Sequence, residues 1–251
     1  MTDTTRPKRY RMVSKYYKET YGEKVYKLPV ALPLTCPNRD GSAGVGGCTF
    51  CGEIGAGYEN RPAWMTVRMQ LEENIAHIGP KYKANKFIAY FLNFSNTYTP
   101  LGIFKKAMED AAGYLGIVRL HISTRPDCIN DIYLDVLQEI QRKYEVDITI
   151  ELGLQSANTH TLIKLNRCHT VAEFIDAAIR IGKYGFGLCT HIIADLPWDD
   201  SIDVIEAAKL VSVLPVTEVK LHSLFIVMRK MLINTVKCSF FIYPSINPSK
   251  N

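Results

Sequence analysis

Apolar positions along the chain gather into short, nearly continuous runs separated by longer amphipathic stretches. KVYKLPVALPL (24–34), KFIAYFLN (86–93), IVRLHIST (117–124), VDITIEL (146–152), FGLCTHII (186–193) and TEVKLHSLFIV (217–227) read as strands. Helices are predicted from about Trp64 to Lys81, from Pro100 to about Tyr114, across INDIYLDVLQEIQRKY, as a pair ending near Lys183, and across DSIDVIEAAKLVSVL. Pro100 suits a first helical turn, where its missing N–H is no loss. Six strands alternating with helices imply a parallel sheet with right-handed crossovers. Their apolar character fits burial on both faces. An open doubly wound sheet and a barrel, full or partial, both satisfy this pattern. The chain divides into a segment 1–23, a core 24–227 and a tail 228–251 that breaks the alternation. The tail reads either as a truncated or altered product or as a lineage-specific end.

Length and composition narrow the class. At 251 residues the chain is one large domain or two small ones, and a single α/β barrel fits that length. With 47% hydrophobic and 22% charged residues it is neither disordered, fibrous nor a coiled coil. No apolar run approaches the ~18–20 residues of a spanning helix, and the basic N-terminus lacks the apolar stretch of a signal peptide. A cytoplasmic protein with no membrane partner is expected. The net charge of +5 is concentrated in residues 1–27, which hold eight Lys/Arg and three acids, while the rest carries 22 of each sign. Tyr10, Tyr16, Tyr17, Tyr21 and Tyr26 interleave with those cations. Such a segment either contacts nucleic acid, with cations on phosphates and rings on bases, or is a solvated helix whose tyrosines dock on the domain.

Seven cysteines without a secretion signal argue against a disulfide framework. Cys36, Cys48 and Cys51 form C-x11-C-x2-C directly after the first strand, across a loop containing Gly41, Gly44, Gly46 and Gly47. Structural zinc would need an isolated fourth ligand such as His77 or Cys128. A thioredoxin-type pair would not need Cys36. An iron–sulfur cluster held by three thiolates would leave one iron open to bind and activate a small molecule.

With Phe50 as the aromatic before the last cysteine, and with STRPDC (123–128), ELGLQS (151–156), NRCHTV (166–171) and HIIADLP (191–197) following in order, the sequence resembles the radical S-adenosylmethionine (SAM) superfamily. It is most similar to small proteins of the branch containing Elongator's catalytic subunit that lack the acetyltransferase domain. The resemblance implies an α/β fold, a partial (β/α)6 TIM-like barrel. It implies a [4Fe–4S] cluster ligated by Cys36, Cys48 and Cys51, with SAM chelating the fourth iron. One electron from the cluster would cleave SAM to methionine and a 5′-deoxyadenosyl radical, supplied by a donor such as flavodoxin or ferredoxin. Phe50, Ser95, Asn96, Ser123, Gln155, Arg167 and His191 are the implied SAM contacts, all at strand C-terminal ends. The branch implies RNA, a tRNA uridine side chain, as substrate.

Plainer roles stand beside these. Ser123 and Asn96 could cap turns, and Gln155 could cap a helix. Arg167 could pair with Glu151 or Glu173. His191 could be a satisfied core histidine, and Asp127 and Asp195 turn residues. His121, His222, Cys128 and Cys189 read as core, and Cys168 as a replacement for glycine that its loop tolerates. For the whole chain, a radical SAM enzyme acting on a small metabolite and a non-catalytic metal- or RNA-binding protein are the rival readings.

Overall fold

A computed structural model describes residues 10–52, 59–227, 230–232 and 240–242. Arg6, Lys8, Arg9, Cys238 and most of the tail lie outside them. Helix α1 (Val13–Tyr21) precedes strand β1 (Val25–Val30), followed by α2 (Val67–Tyr82), β2 (Lys86–Phe91), α3 (Leu101–Ala112) and β3 (Ile117–Thr124). The chain continues through α4 (Asp131–Tyr144), β4 (Asp147–Gln155), α5 (Thr159–Lys164), α6 (Val171–Lys183), β5 (Gly187–Ala194), α7 (Ser201–Val213) and β6 (Glu218–Ser223). The six strands pair in parallel in chain order and curl into a half-barrel, so the barrel alternative is correct. Three strands, β1, β2 and β6, are shorter than the apolar runs that predict them. β1 ends at Val30 opposite Phe91, and β6 ends at Ser223 opposite Ala194, because the neighbouring ladder ends there. Phe225–Val227 then turns back antiparallel against Lys230–Leu232. Phe240–Ile242 pairs antiparallel with β6 and with Arg11–Met12, covering that edge of the sheet. Among the described residues, no helix is long and apolar enough to cross a membrane.

The strands alternate more strictly than their hydropathy suggests. Leu120, Ile122, Ile148, Ile150, Leu152, Leu188 and Ile192 point outward into the main core with Phe104, Leu137 and Phe174 of the helices. The alternate positions carry polar side chains into the barrel, and each strand gives one to a single cluster. Glu151 of β4 is its centre, with a side chain 0% exposed. Its Oε1 accepts from Lys27 Nζ of β1 at 2.9 Å and His121 Nδ1 of β3 at 2.6 Å. Its Oε2 accepts from Tyr90 of β2 at 2.7 Å and His191 Nε2 of β5 at 2.8 Å. Lys220 of β6 lies 4.0 Å from Oε2 and donates to Tyr90 at 3.0 Å. Burial works to raise the Glu151 carboxyl, but Lys27, Lys220 and the two histidines outweigh it and hold it well below the usual carboxylate value.

Helix α1 closes the N-terminal end of this barrel. Its Tyr17, 3% exposed, places its hydroxyl 3.0 Å from His121 Nε2 and donates to Glu218 at 3.0 Å. Tyr21 donates to Asp147, and Arg119 reaches Tyr21 at 2.9 Å and Asp147 at 3.1 Å. Tyr26 stacks on Tyr82 at 4.8 Å. The docked-helix reading therefore describes Tyr17 and Tyr21, and their rings are not available to stack on bases. The outward face of α1 keeps its cations, with Lys15 71% exposed.

Removing the Tyr17 hydroxyl strands His121 and Glu218, so Tyr17→Phe should lower stability by about 1–3 kcal/mol. Glu151→Gln removes the charge that Lys27 and the buried Lys220 face and should cost about 3–5 kcal/mol. Urea unfolding at neutral pH measures both. Stability should also fall with acid before ordinary carboxylates titrate. Burial, followed by the charge of Lys27, pushes His121 down from 6.5 to about 3, so below about pH 6.5 the unfolded chain takes up a proton that the folded chain refuses. Glu151 adds to the loss below its ordinary 4.5. Urea midpoints measured from neutral pH down to about 4 should decline over the whole series.

Candidate functional site

The C-terminal ends of the strands lie opposite α1, and the cysteine loop leaves from there, after β1. The loop folds on itself through Arg39 N–H to Cys36 O (2.8 Å), Gly47 N–H to Asn38 O (2.8 Å) and Cys51 N–H to Cys48 O (3.0 Å). Side-chain amides then strap it to the segment between α5 and α6. Asn38 Nδ2 donates to Asn166 O, while Asn166 Nδ2 donates to Val45 O at 3.0 Å and Gly47 O at 2.9 Å. Gly44 leaves room for these straps, because a Cβ would lie 2.2 Å from Asn38 Oδ1 and 2.7 Å from Cys168 Sγ and would displace both side chains. Cys168 itself has φ 53°, a left-handed conformation in which glycine is at ease. It is exposed and bonds locally to Asn166, in keeping with a replaced glycine.

Cys48 is buried, whereas Cys36 and Cys51 are partly exposed. Neighbouring Cys51 first, and Arg167 after it, hold the Cys48 thiol well below its ordinary value against the effect of burial. Cys48 and burial push Cys51 well above it. Burial also raises Cys36. Around Cys48, Phe50 packs with Leu165, Ile193 and Leu196.

The sequence motifs converge on these thiols. Arg167 is buried and donates from Nη1 to Cys48 Sγ at 3.3 Å, from Nη2 to Gly153 O at 2.8 Å and from Nε to His169 Nε2 at 3.0 Å. It pairs with neither Glu151 nor Glu173, the latter being engaged in the capping box of α6 with Thr170. Its guanidinium lies 5.7 Å from the Phe50 ring. Gln155, at φ 72°, shares the space over Gly153 with Arg167, where a Cβ would meet Gln155 Nε2 at 2.6 Å and Arg167 Nη2 at 3.0 Å. Ser95 Oγ lies 2.9 Å from Thr124 Oγ1. Asn96 Nδ2 ties its turn together through the carbonyls of Phe91, Asn93 and Ser123. Ser123 stands beside it at the end of β3. His191 sits deeper, on Glu151 through Nε2 and 3.3 Å from His222 Nε2 through Nδ1. The satisfied-histidine role accounts for both of its nitrogens.

Arg125 escaped the sequence reading although STRPDC contains it. Buried at 3% exposure, it grips Asp127 through Nε at 2.9 Å and reaches Arg167 O through Nη2 at 2.8 Å. Asn38 also went unread. It precedes the glycine-rich stretch of the loop and donates to Cys48 Sγ at 3.4 Å. Nothing in local hydropathy marks either residue, since the contacts from Asn38 to Asn166 and from Arg125 to Arg167 span 128 and 42 residues. Asn38 Oδ1, Asn96 Oδ1, Ser123 Oγ, Arg125 Nη1 and Gln155 Oε1 are all buried with no hydrogen-bond partner. All five belong to loops or strand ends on the cysteine-bearing side of the barrel. Buried polar atoms are normally satisfied, so this concentration marks a surface built for a polar ligand. Elsewhere, Glu151, Cys189 and His191 approach one another within 4.8 Å, but four donors already occupy the Glu151 oxygens and the two lysines repel a cation.

No protein-family model matches this chain. It is 36% identical over 220 residues to YtqA of Bacillus subtilis, covering 86% of this chain and 67% of that protein. It is 34% identical over 209 residues to YhcC of Escherichia coli, covering 82% of this chain and 65% of YhcC. The chain thus spans about two thirds of the length of the curated relatives it matches. The fold is similar to that of the Escherichia coli coproporphyrinogen III oxidase HemN, a radical SAM enzyme, with a TM-score of 0.52 at 17% identity over 79% of this chain and 44% of that one. The half-barrel, with the three-cysteine loop at its C-terminal end, has the fold of HemN, and by its sequence the chain belongs to the same family as YtqA.

Proposed function

We propose that this chain is a radical SAM enzyme that holds a [4Fe–4S] cluster on Cys36, Cys48 and Cys51 and modifies RNA, at a tRNA uridine side chain. The unpartnered polar atoms gathered beside the three thiols carry the reading. Three thiolates suit an iron–sulfur cluster whose remaining iron stays open to a ligand, whereas a structural zinc would need a fourth protein ligand. Bound there, the cluster would supply one electron to the SAM sulfonium, releasing methionine and a 5′-deoxyadenosyl radical. The protein's own part is to bind, orient and exclude water. Arg125 Nη1 offers a charge-assisted donor to a carboxylate. Gln155 Oε1 and Asn96 Oδ1 are acceptors for ammonium or hydroxyl groups, and Ser123 Oγ can serve as donor or acceptor. Phe50, Leu165, Ile193 and Leu196 form an apolar wall that keeps water from Cys48. An electron donor of the flavodoxin or ferredoxin class would dock at this end.

The RNA substrate is supported by the Elongator-branch resemblance and by the cations on α1. That helix sits at the end of the barrel opposite the cysteine loop. A ligand touching both must span the domain, which a folded tRNA does and a small metabolite does not.

Anaerobic reconstitution should yield a brown protein with about four irons per chain. Replacement of any one of Cys36, Cys48 and Cys51 by Ala should abolish the colour, as should Gly44→Ala, whereas Cys168→Gly should load normally. A colourless protein with one zinc per chain would sink the reading. With dithionite and SAM, the loaded protein should release 5′-deoxyadenosine and methionine, detectable by chromatography.

RNA association is tested without disturbing Tyr17. Lys15→Glu with Lys18→Glu should weaken tRNA binding and flatten its dependence on log salt by ~0.7 per lost phosphate contact, or somewhat more for duplex regions. Equal slopes for the two proteins across a salt series would move the small-metabolite reading ahead.

A further inference from the structure

Three arginines are buried in the described structure, and they differ in what balances their charge. Arg119 faces Asp147 at 3.1 Å and Glu218 at 3.8 Å. Arg125 faces Asp127 at 2.9 Å. Arg167, only 5% exposed, has no carboxylate within ion-pair distance among the described residues. Its contacts are a carbonyl, a neutral imidazole and a thiol sulfur. The imidazole is neutral because burial, followed by Arg167 itself, pushes His169 down to about 2. A buried cation without a counter-charge is costly, and a protein keeps one only where an anion compensates it. The group on hand that can carry a negative charge is the Cys48 sulfur, 3.3 Å from Nη1.

The guanidinium is also fixed in place. Gly153 O holds Nη2 at 2.8 Å and His169 holds Nε at 3.0 Å. Gly153 permits this approach, since a Cβ there would stand 3.0 Å from Nη2. With two edges clamped, Nη1 is left facing the sulfur. Arg125 differs in that its Nη1 is the unpartnered atom, so the guanidinium edge open to a carboxylate belongs to Arg125.

We propose that Arg167, which the sequence resemblance makes a SAM contact, is instead the charge partner of the Cys48 thiolate and, through it, a positioning residue that sets the reduction potential of the cluster, while Arg125 is the residue that meets the SAM carboxylate. The proposal rests on the cluster reading above. Reduction adds negative charge next to a fixed, buried cation, which stabilises the reduced form. Donors to a ligand sulfur act in the same sense. Where the dielectric is low, the effect is stronger than at a surface.

The test is a redox titration of the anaerobically reconstituted full chain, followed by electron paramagnetic resonance, for wild type, Arg167→Gln and Arg167→Lys. Iron and sulfide are assayed on each sample. Arg167→Gln should keep its cluster and shift the reduced-to-oxidised ratio at a fixed potential about tenfold toward the oxidised form, about 59 mV for a one-electron couple. Arg167→Lys keeps the charge but withdraws the fork from the sulfur, and should shift in the same direction by less. If Arg167→Gln fails to fold, the lysine variant decides. SAM affinity, measured by equilibrium dialysis on the oxidised cluster, should fall more for Arg125→Gln than for Arg167→Lys. A loaded variant with wild-type potential overturns the role of Arg167 alone. A wild-type protein that takes up no iron and sulfide overturns the cluster reading and this proposal together.

Discussion

A single carboxylate buried at the centre of the half-barrel governs how its strands can close. Glu151 has no access to water, so its charge is tolerable only if donors surround it. Each of the other five strands supplies one group to that neighbourhood: Lys27, Tyr90, His121, His191 and Lys220. A strand slipped by one residue would turn its donor outward and a neighbouring side chain of the outer face inward. The electrostatic requirement therefore fixes register as well as charge. It does so from inside the barrel, while the apolar contacts to the helices act from outside.

The same cluster divides the molecule into two ends with different duties. Toward the N-terminal side the network runs through His121 to Tyr17 and Glu218, and every major group finds a protein partner. Helix α1 belongs to this end, held as part of the fold by hydroxyls that reach into the barrel. Toward the C-terminal side satisfaction stops. Ser123, Arg125 and Gln155 each leave a buried atom unmatched, as do Asn38 and Asn96 in the adjoining loops. Stability is concentrated where the polar groups are paired, and ligand capacity where they are not.

Arginine chemistry shows how finely neighbouring positions are separated. Arg125 and Arg167 touch, through Arg125 Nη2 and the Arg167 carbonyl at 2.8 Å, yet one is neutralised by a carboxylate and the other faces a thiol. The planar fork of the side chain lets each divide its edges between structural clamps and one functional direction.

Much of the architecture is written in the sequence. Alternating apolar runs and amphipathic stretches specify six strands and their helices, because burial against helices demands apolar side chains wherever the fold places them. The C-x11-C-x2-C spacing and its glycines mark the loop, since ligands close in sequence must meet in space. What hydropathy could not convey is which way each strand faces. His121, Glu151 and Lys220 are polar residues inside apolar runs, and they become legible only once six strands bring them to one point. The Asn38–Asn166 straps, the carboxylate-free setting of Arg167 and the open edge of Arg125 likewise depend on contacts between segments more than a hundred or some forty residues apart. Periodicity is a local property and reaches the elements. Charge compensation is a property of three-dimensional neighbours, so the tertiary structure alone decided which polar residues brace the barrel and which await a ligand.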